Sequence, residues 1–314
     1  MTRTQLIISA LGGITSLLLF LAGLVSASIT LPLLMMSILP VVIVSLGWGT
    51  RAGYGAAGAA TIGVLISLNI YPALLYAFAF GAPAAYLGHC VGLSRIDDET
   101  GQEEWFPLGN IFFRAVLYAG ILIGLSLLVS GFDANELVTT LKQQLEEARG
   151  DLAPDVQENI GTILNDMIPI YVSLIPFAAP MLWLVMIVLN LWLGAKIVKQ
   201  SGKLNRPRFS LSEVEMPSYS VALFALSLAA SLLAPPLQYI GMAFTGSLVM
   251  AFTILGFNTI HVMVRGNSGR FGLLFVVYFM TIFIPFVVLI IVMLGIADLI
   301  FKIRQRFLAA QPIT

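Results

Sequence analysis

Runs of apolar residues long enough to cross a lipid hydrocarbon core recur along the whole chain, at residues 6–26, 29–47, 52–70, 73–94, 108–130, 167–195, 218–236, 239–263 and 271–300. A helix needs about 20 residues to cross a core roughly 30 Å thick, so these windows predict nine candidate helices. Several polar breaks between them are short, as in SASI (26–29), IYP (70–72) and APPLQY (234–239). Unpaired backbone is not tolerated in lipid, so neighbours joined this tightly fold as antiparallel helical hairpins. The prediction is an all-α polytopic membrane bundle of eight or nine transmembrane helices, with residues 1–314 as a single membrane domain.

A different pattern interrupts the windows between residues 131 and 166. Leu137, Leu141, Leu145 and Ala148 recur at helical spacing, RGDLAP breaks the run, and Val156, Ile160, Ile163 and Met167 resume it. Two short amphipathic helices are predicted here, an extracytoplasmic insertion between the fifth and sixth spans. They either rest on the bilayer or the bundle, or cap an outward-facing cavity.

Composition agrees with the windows: 59% of the 314 residues are apolar and 10% charged, with a mean hydropathy of +0.96, far outside the range of soluble domains. The formal net charge is zero, yet eight of the sixteen acids and only two of the sixteen bases fall between Asp133 and Asp166. Charge is sorted by side. Lys196, Lys199, Lys203, Arg206 and Arg208 crowd the loop after the sixth span, which places that loop in the cytoplasm. Counting back puts the N-terminus with Arg3, Arg51 and Arg95 on the same side, and the acidic insertion outside. A ninth full crossing would carry Lys302, Arg304 and Arg306 to the outer side, so an even number of crossings fits better, with the stretch 271–301, interrupted at Pro285, broken or re-entrant, or with two of the windows forming one span. The run from Leu6 to Val25 has the length of a retained span rather than of a cleaved signal core.

The stretch GTRAGYGAAGAATIG (49–63) is built mostly of glycine and alanine. Its small residues, Gly49, Gly53, Gly55, Ala56, Ala59, Ala60 and Gly63 among them, fall on four-residue series that let helix backbones approach closely in lipid. This third span is expected to be the most enclosed of the bundle. Ser9 and Gly13 give the first span a similar surface near its cytoplasmic end; with Lys199, Arg206 and Arg208 they are candidate contacts for a partner protein, although the two small-residue faces suit each other equally well.

The stretch LPLLMMSILPVVIVSLGWGTRAGYGAAGAATIGVLIS (31–67), a proline-punctuated span followed by a G-x-R-x-G turn and a Gly/Ala-rich helix, resembles the N-terminal half of substrate-binding components of energy-coupling-factor transporters. With KIVKQSGKLNRPRFS (196–210), LGFNTIHVMVRG (255–266) and LGIADLIFKIR (294–304), the whole chain is similar to the YybS-like family of predicted bacterial membrane proteins. That family is of unknown function and is grouped with those components by fold. The resemblance does not extend to the acidic insertion. It implies a transporter-component-like N-terminal half, a bacterial inner membrane location, and separate ATPase and coupling subunits as partners.

Polar residues within the spans are few. Arg114 lies close enough to the inner end of its helix to snorkel, and Asp298 is spaced to pair with Lys302 or Arg304. Asn190, Asn258 and His261 suit either an internal site or hydrogen bonds between helices, and His89 beside Cys90 reads as interfacial. Pro169, Pro176 and Pro180 in the outer half of the sixth span free backbone carbonyls, which are tolerated against protein or a water-lined cavity. They point to an outer pocket lined by Tyr171, Trp183, Gln238 and Tyr239, or to a kinked helix that simply packs around a neighbour. One cysteine and two histidines give no disulfide and no metal cluster. No P-loop, nucleophile elbow or zincin motif occurs, and IDDETG (96–101) reads as a solvated loop rather than a magnesium site. The expectation is a non-enzymatic protein without cofactor or metal and without nucleic-acid binding, embedded in the bilayer. It would bind a small-molecule or lipid ligand as a transporter component does, or else serve as a scaffold for envelope or morphogenesis factors.

Overall fold

The computed structural model describes residues 1–25, 30–149, 154–206 and 214–310, with backbone alone for 148–149, 154–163 and 310. Thr2 and Gln5 start the first helix reciprocally. The Thr2 N–H donates to Gln5 Oε1 at 2.9 Å and the Gln5 N–H to Thr2 Oγ1 at 3.2 Å, a capping box that satisfies donors the first turn leaves orphaned. Helix α1 then runs Arg3–Val25. α2 (Thr30–Met36) and α3 (Leu39–Trp48) share the second window. Gly49, at φ +88°, reverses the chain in a backbone region that favours glycine, and α4 (Thr50–Ser67) returns. Asn69 caps α5 (Ile70–Tyr76) by accepting the Tyr71 N–H at 3.0 Å. A π-helical turn at Ala77–Gly81 leads into α6 (Ala82–Val91). An antiparallel hairpin of β1 (Ser94–Ile96) and β2 (Glu103–Trp105) precedes α7 (Leu108–Val129). Then follow α8 (Ala134–Arg149), α9 (Pro154–Gln200), α10 (Ser220–Ala230), α11 (Leu237–Met263), α12 (Arg270–Phe283), α13 (Pro285–Phe301) and α14 (Ile303–Ala310).

Every predicted window contains helix, but the span count differs. Among the described residues six segments are long and apolar enough to cross a membrane, and α12 with α13 makes a seventh only as a pair bent by 119°. The other two windows fall short for physical reasons. Glycine, alanine and Arg51 dilute the hydropathy of α4, and α10 has 11 residues, about 16 Å of helix. The second amphipathic helix is not a separate element either. α9 is continuous over 47 residues, about 70 Å at 1.5 Å per residue, so the stretch after Pro154 is the extension of the sixth span. Val156, Ile160 and Ile163 fall outside the described side chains, and Pro169, Pro176 and Pro180 sit inside α9 without ending it.

Among the candidate spans the most enclosed is α11, with 61% of its apolar window buried, whereas 6 of the 18 residues of α4 are buried. α11 packs against α7, α9, α10 and α13, and its isolated glycines permit this. A Cβ on Gly246 would overlap the Phe177 carbonyl of α9, and one on Gly256 the Ile291 carbonyl of α13. The glycine and alanine residues of α4 instead line its contacts with α1 and α3. A Cβ on Gly13 would come 2.7 Å from Ala59 Cβ, and one on Gly53 2.6 Å from Ser45 Cβ. Ala56 and Ala60 are fully buried, Gly63 faces Leu17, and Gly55 faces Ser9. Gly49 is a turn residue with open space around it, not a packing residue.

Two contacts place the C-terminal segment. Lys302, in the left-handed region at φ 53°, ends α13 and folds the chain back. Arg304 therefore meets Asp298 by Nε to Oδ2 at 2.5 Å with both side chains buried, and the Lys302 partner expected from i, i+4 spacing is displaced. Arg304 also donates to the Val214 carbonyl at 2.9 Å, and Gln305 to Glu215 at 2.6 Å. The C-terminal helix thus lies at the same end of the bundle as the loop that follows α9.

Candidate functional site

A polar cavity of about 530 Å³ opens at that basic end. Its walls come from the starts of α1 and α4, the ends of α3 and α6, and the segment after α9. Each wall is held by a bond between elements. Gln5 Nε2 donates to the Trp48 carbonyl at 3.1 Å, tying α1 to α3. Thr50 Oγ1 meets His89 Nδ1 at 2.6 Å, tying α4 to α6. The Lys203 ammonium sits 4.9 Å from the centre of the Trp48 ring, a cation–π arrangement contributing about 0.5–1 kcal/mol at exposed sites. Arg206, 8% exposed, donates to the Phe106 carbonyl at 2.9 Å and lies 5.9 Å from the Trp105 ring. Lys203, Arg206 and His89 line the cavity with no Asp or Glu among the lining residues. Its chemistry is therefore that of a hydrogen-bond donor and anion receiver.

Arg114 does not merely snorkel. Its Nη1 donates to Tyr86 Oη at 2.8 Å, and its guanidinium lies 4.7 Å from the centre of the Phe106 ring. Phe106 thereby joins Arg114 to the carbonyl that receives Arg206. The acidic hairpin turn nearby is self-contained. Asp97 Oδ1 accepts the N–H groups of Glu99 and Thr100, each at 2.9 Å, and these bonds hold its carboxyl below the usual aspartate range.

The residues expected to line an outer pocket are not gathered there. Tyr171 is 61% exposed. Trp183 is buried, donates its Nε1–H to the Ala79 carbonyl at 2.7 Å, and stacks on Tyr118. Gln238 is half-buried, and Tyr239 packs edge-on against Phe132. Asn190, fully buried, donates to the carbonyls of Met35 and Met186, both at 2.7 Å, which leaves its Oδ1 unpaired. His261 lies at the far end of α11 from Gln238; its Nδ1 meets the Phe257 carbonyl at 2.8 Å and its ring packs on Tyr278. Asn258, one turn away, is half-buried and has its own partner.

The small residues offered as partner contacts are used within the chain. Ser9 is 4% exposed and donates to the Gln5 and Ala52 carbonyls, and Gly13 lies against α4. Lys199 is exposed, Arg206 is a buried wall residue, and Arg208 lies outside the described residues. Trp48, Thr50, His89 and Lys203 were missed as site residues. The signal was the clustering of Thr, Trp and basic residues at window edges on one side.

The model of a family described as predicted membrane protein (DUF2232) matches residues 13–299. No curated protein and no solved structure matches the chain.

Proposed function

The chain belongs to the DUF2232 family of predicted membrane proteins, and we propose that it is a non-enzymatic membrane component that binds a small or amphipathic ligand. The observation that carries this reading is the basic-end cavity: about 530 Å³, walled by five segments and lined by polar groups, a volume within the range of small-molecule sites. The ligand enters at this end, not under the acidic insertion. Energy for release or transport comes from a partner, in the manner of the transporter components that residues 31–67 resemble, with separate ATPase and coupling subunits. The location is the bacterial inner membrane with the basic end in the cytoplasm, as the crowding of Lys and Arg at that end supports.

A second reading is favoured by the exposed bases of the same end. Lys199, Lys302 and Arg306 are all exposed, a surface suited to recruiting envelope or morphogenesis factors. Mass spectrometry of gently extracted protein tests both. A stoichiometric bound molecule lost on substitution of cavity residues supports ligand binding; an empty protein that co-purifies with envelope proteins through the exposed bases replaces it with the scaffold.

A further inference from the structure

We propose that the basic-end cavity recognises a phosphate group, an inference that rests on the ligand-binding reading and specifies its chemistry. Three observations converge. First, among the described residues the lining carries Lys203 and Arg206 and no carboxylate, which favours an anionic over a cationic ligand.

Second, the N-terminus of α4 opens on the cavity uncapped. Gly49 supplies no side chain, the first turn holds no acid, and the Ala52 and Gly53 amides bond back to the Gly49 carbonyl at 3.1 Å. This leaves the Thr50 and Arg51 amides as the donors of that terminus. The neighbouring start of α1 is closed by its Thr2–Gln5 capping box. Uncapped helix amides with the positive end of the helix dipole favour an anion.

Third, the side-chain donors differ in kind and position: the Thr50–His89 pair, whose mutual bond at 2.6 Å leaves one donor, the hydroxyl or the far ring N–H, in its neutral form, and an ammonium held over Trp48. A phosphate, with several acceptor oxygens pointing in different directions, accepts from such a set. A planar carboxylate, with two oxygens, reaches fewer of them. Gly49 adds room: nothing lies within 4 Å of the position a Cβ would take there, so the anion can approach the backbone closely.

Phosphate can arrive as a free or esterified solute, or as the headgroup of an anionic phospholipid, and one experiment separates the two. The full chain is purified in neutral detergent and titrated with inorganic phosphate at constant ionic strength against chloride, with thermal unfolding as readout. In parallel it is reconstituted in vesicles of phosphatidylcholine alone or with phosphatidylglycerol, and bound lipid is read by native mass spectrometry. Lys203→Gln is the test variant, His89→Gln the second variant should the first fail to fold, and Lys199→Gln the control outside the cavity.

The expected result is stabilisation by phosphate, or retention of phosphatidylglycerol over phosphatidylcholine, weakened about tenfold by Lys203→Gln, as loss of one charge-assisted hydrogen bond implies, and unchanged by Lys199→Gln. Stabilisation by inorganic phosphate assigns a soluble source, and retention of the anionic lipid alone assigns the headgroup. A response equal in Lys203→Gln and Lys199→Gln overturns the phosphate site as non-specific screening. A neutral or cationic molecule found bound in the cavity, insensitive to phosphate, overturns the phosphate assignment and leaves the ligand-binding reading standing. An empty cavity under all conditions overturns both.

Discussion

At the scale of single residues, backbone proximity rather than local composition decides which glycines matter. Gly58, in the middle of the small-residue stretch, has nothing within 4 Å of where its Cβ would lie, while a Cβ on Gly246 or Gly256 would run into a neighbouring helix's carbonyl. Gly256→Ala and Gly246→Ala are each expected to lower stability in detergent by about 1–3 kcal/mol, the cost of overpacking a close-packed contact, and Gly58→Ala to be neutral or slightly stabilising. Thermal unfolding of the extracted variants measures this; equal melting of all three would remove the packing argument. The buried pair of Asp298 and Arg304 makes a second residue-scale case. Arg304→Ala strands a carboxylate that is 3% exposed, and breaking a buried pair from one side costs about 3–5 kcal/mol. Replacing both partners by apolar residues, Asp298→Leu with Arg304→Met, should recover most of that loss, a comparison the same melts provide. Windows of sequence showed where glycines cluster, but not which of them touch another helix. A helix-spanning contact such as Gly246 to Phe177 joins residues far apart in the chain and leaves no local pattern.

At the scale of elements, hydrophobic periodicity was read correctly wherever one apolar run made one helix, as in α1, α7 and α11, and incompletely where caps and breaks decide. The reversal at Gly49, the left-handed Lys302 and the 119° bend before Pro285 each depend on one or two residues within an unbroken apolar background. The second amphipathic stretch is not a separate helix, because Met167 and the residues after it continue the same helical register into the sixth span and no stop signal divides them. The hairpin of β1 and β2 shows in sequence only as an acidic loop. Its turn is organised by Asp97, whose carboxyl is held below its ordinary value of 3.8 by the Glu99 and Thr100 amides. A depressed carboxyl stabilises the turn at pH above the ordinary value and loses that contribution as pH falls through the lowered one. Amide hydrogen exchange of residues 97–102 should therefore stay slow, relative to the intrinsic rate, from neutral pH down to the ordinary aspartate range and lose protection only below it. Asp97→Asn should abolish that acid transition. Loss of protection already between pH 7 and 5 would show that the turn does not depend on this carboxylate.

At the scale of the whole molecule, the arrangement is polarised. The acidic α8 is attached at one end, while the polar cavity, the Arg114 and Arg206 contacts around Phe106, and the clamp of Arg304 on Val214 gather at the other. The charges alone carry this sorting, whereas the prolines of α9, which point to an outer pocket, sit in a helix whose Trp183 stacks on Tyr118. Cavity walls drawn from five segments cannot be assembled from windows read one at a time. The polarity makes a definite topological statement. If α12 and α13 form a bent pair that does not carry the chain through to the opposite side, Arg306 and Lys199 face the same compartment and Asn135 the other. Cys90 is the sole cysteine and is buried, so a Cys90→Ser background accepts single reporters at each position. With a membrane-impermeant maleimide applied to intact cells, Asn135→Cys should label at once, and Lys199→Cys and Arg306→Cys only after the membrane is opened. Labelling of Arg306→Cys together with Asn135→Cys in intact cells would mean that the bent pair crosses. The contact of Arg304 with the Val214 carbonyl, 90 residues away in the chain, would then have to break in the bilayer, whereas its local pair with Asp298 would remain.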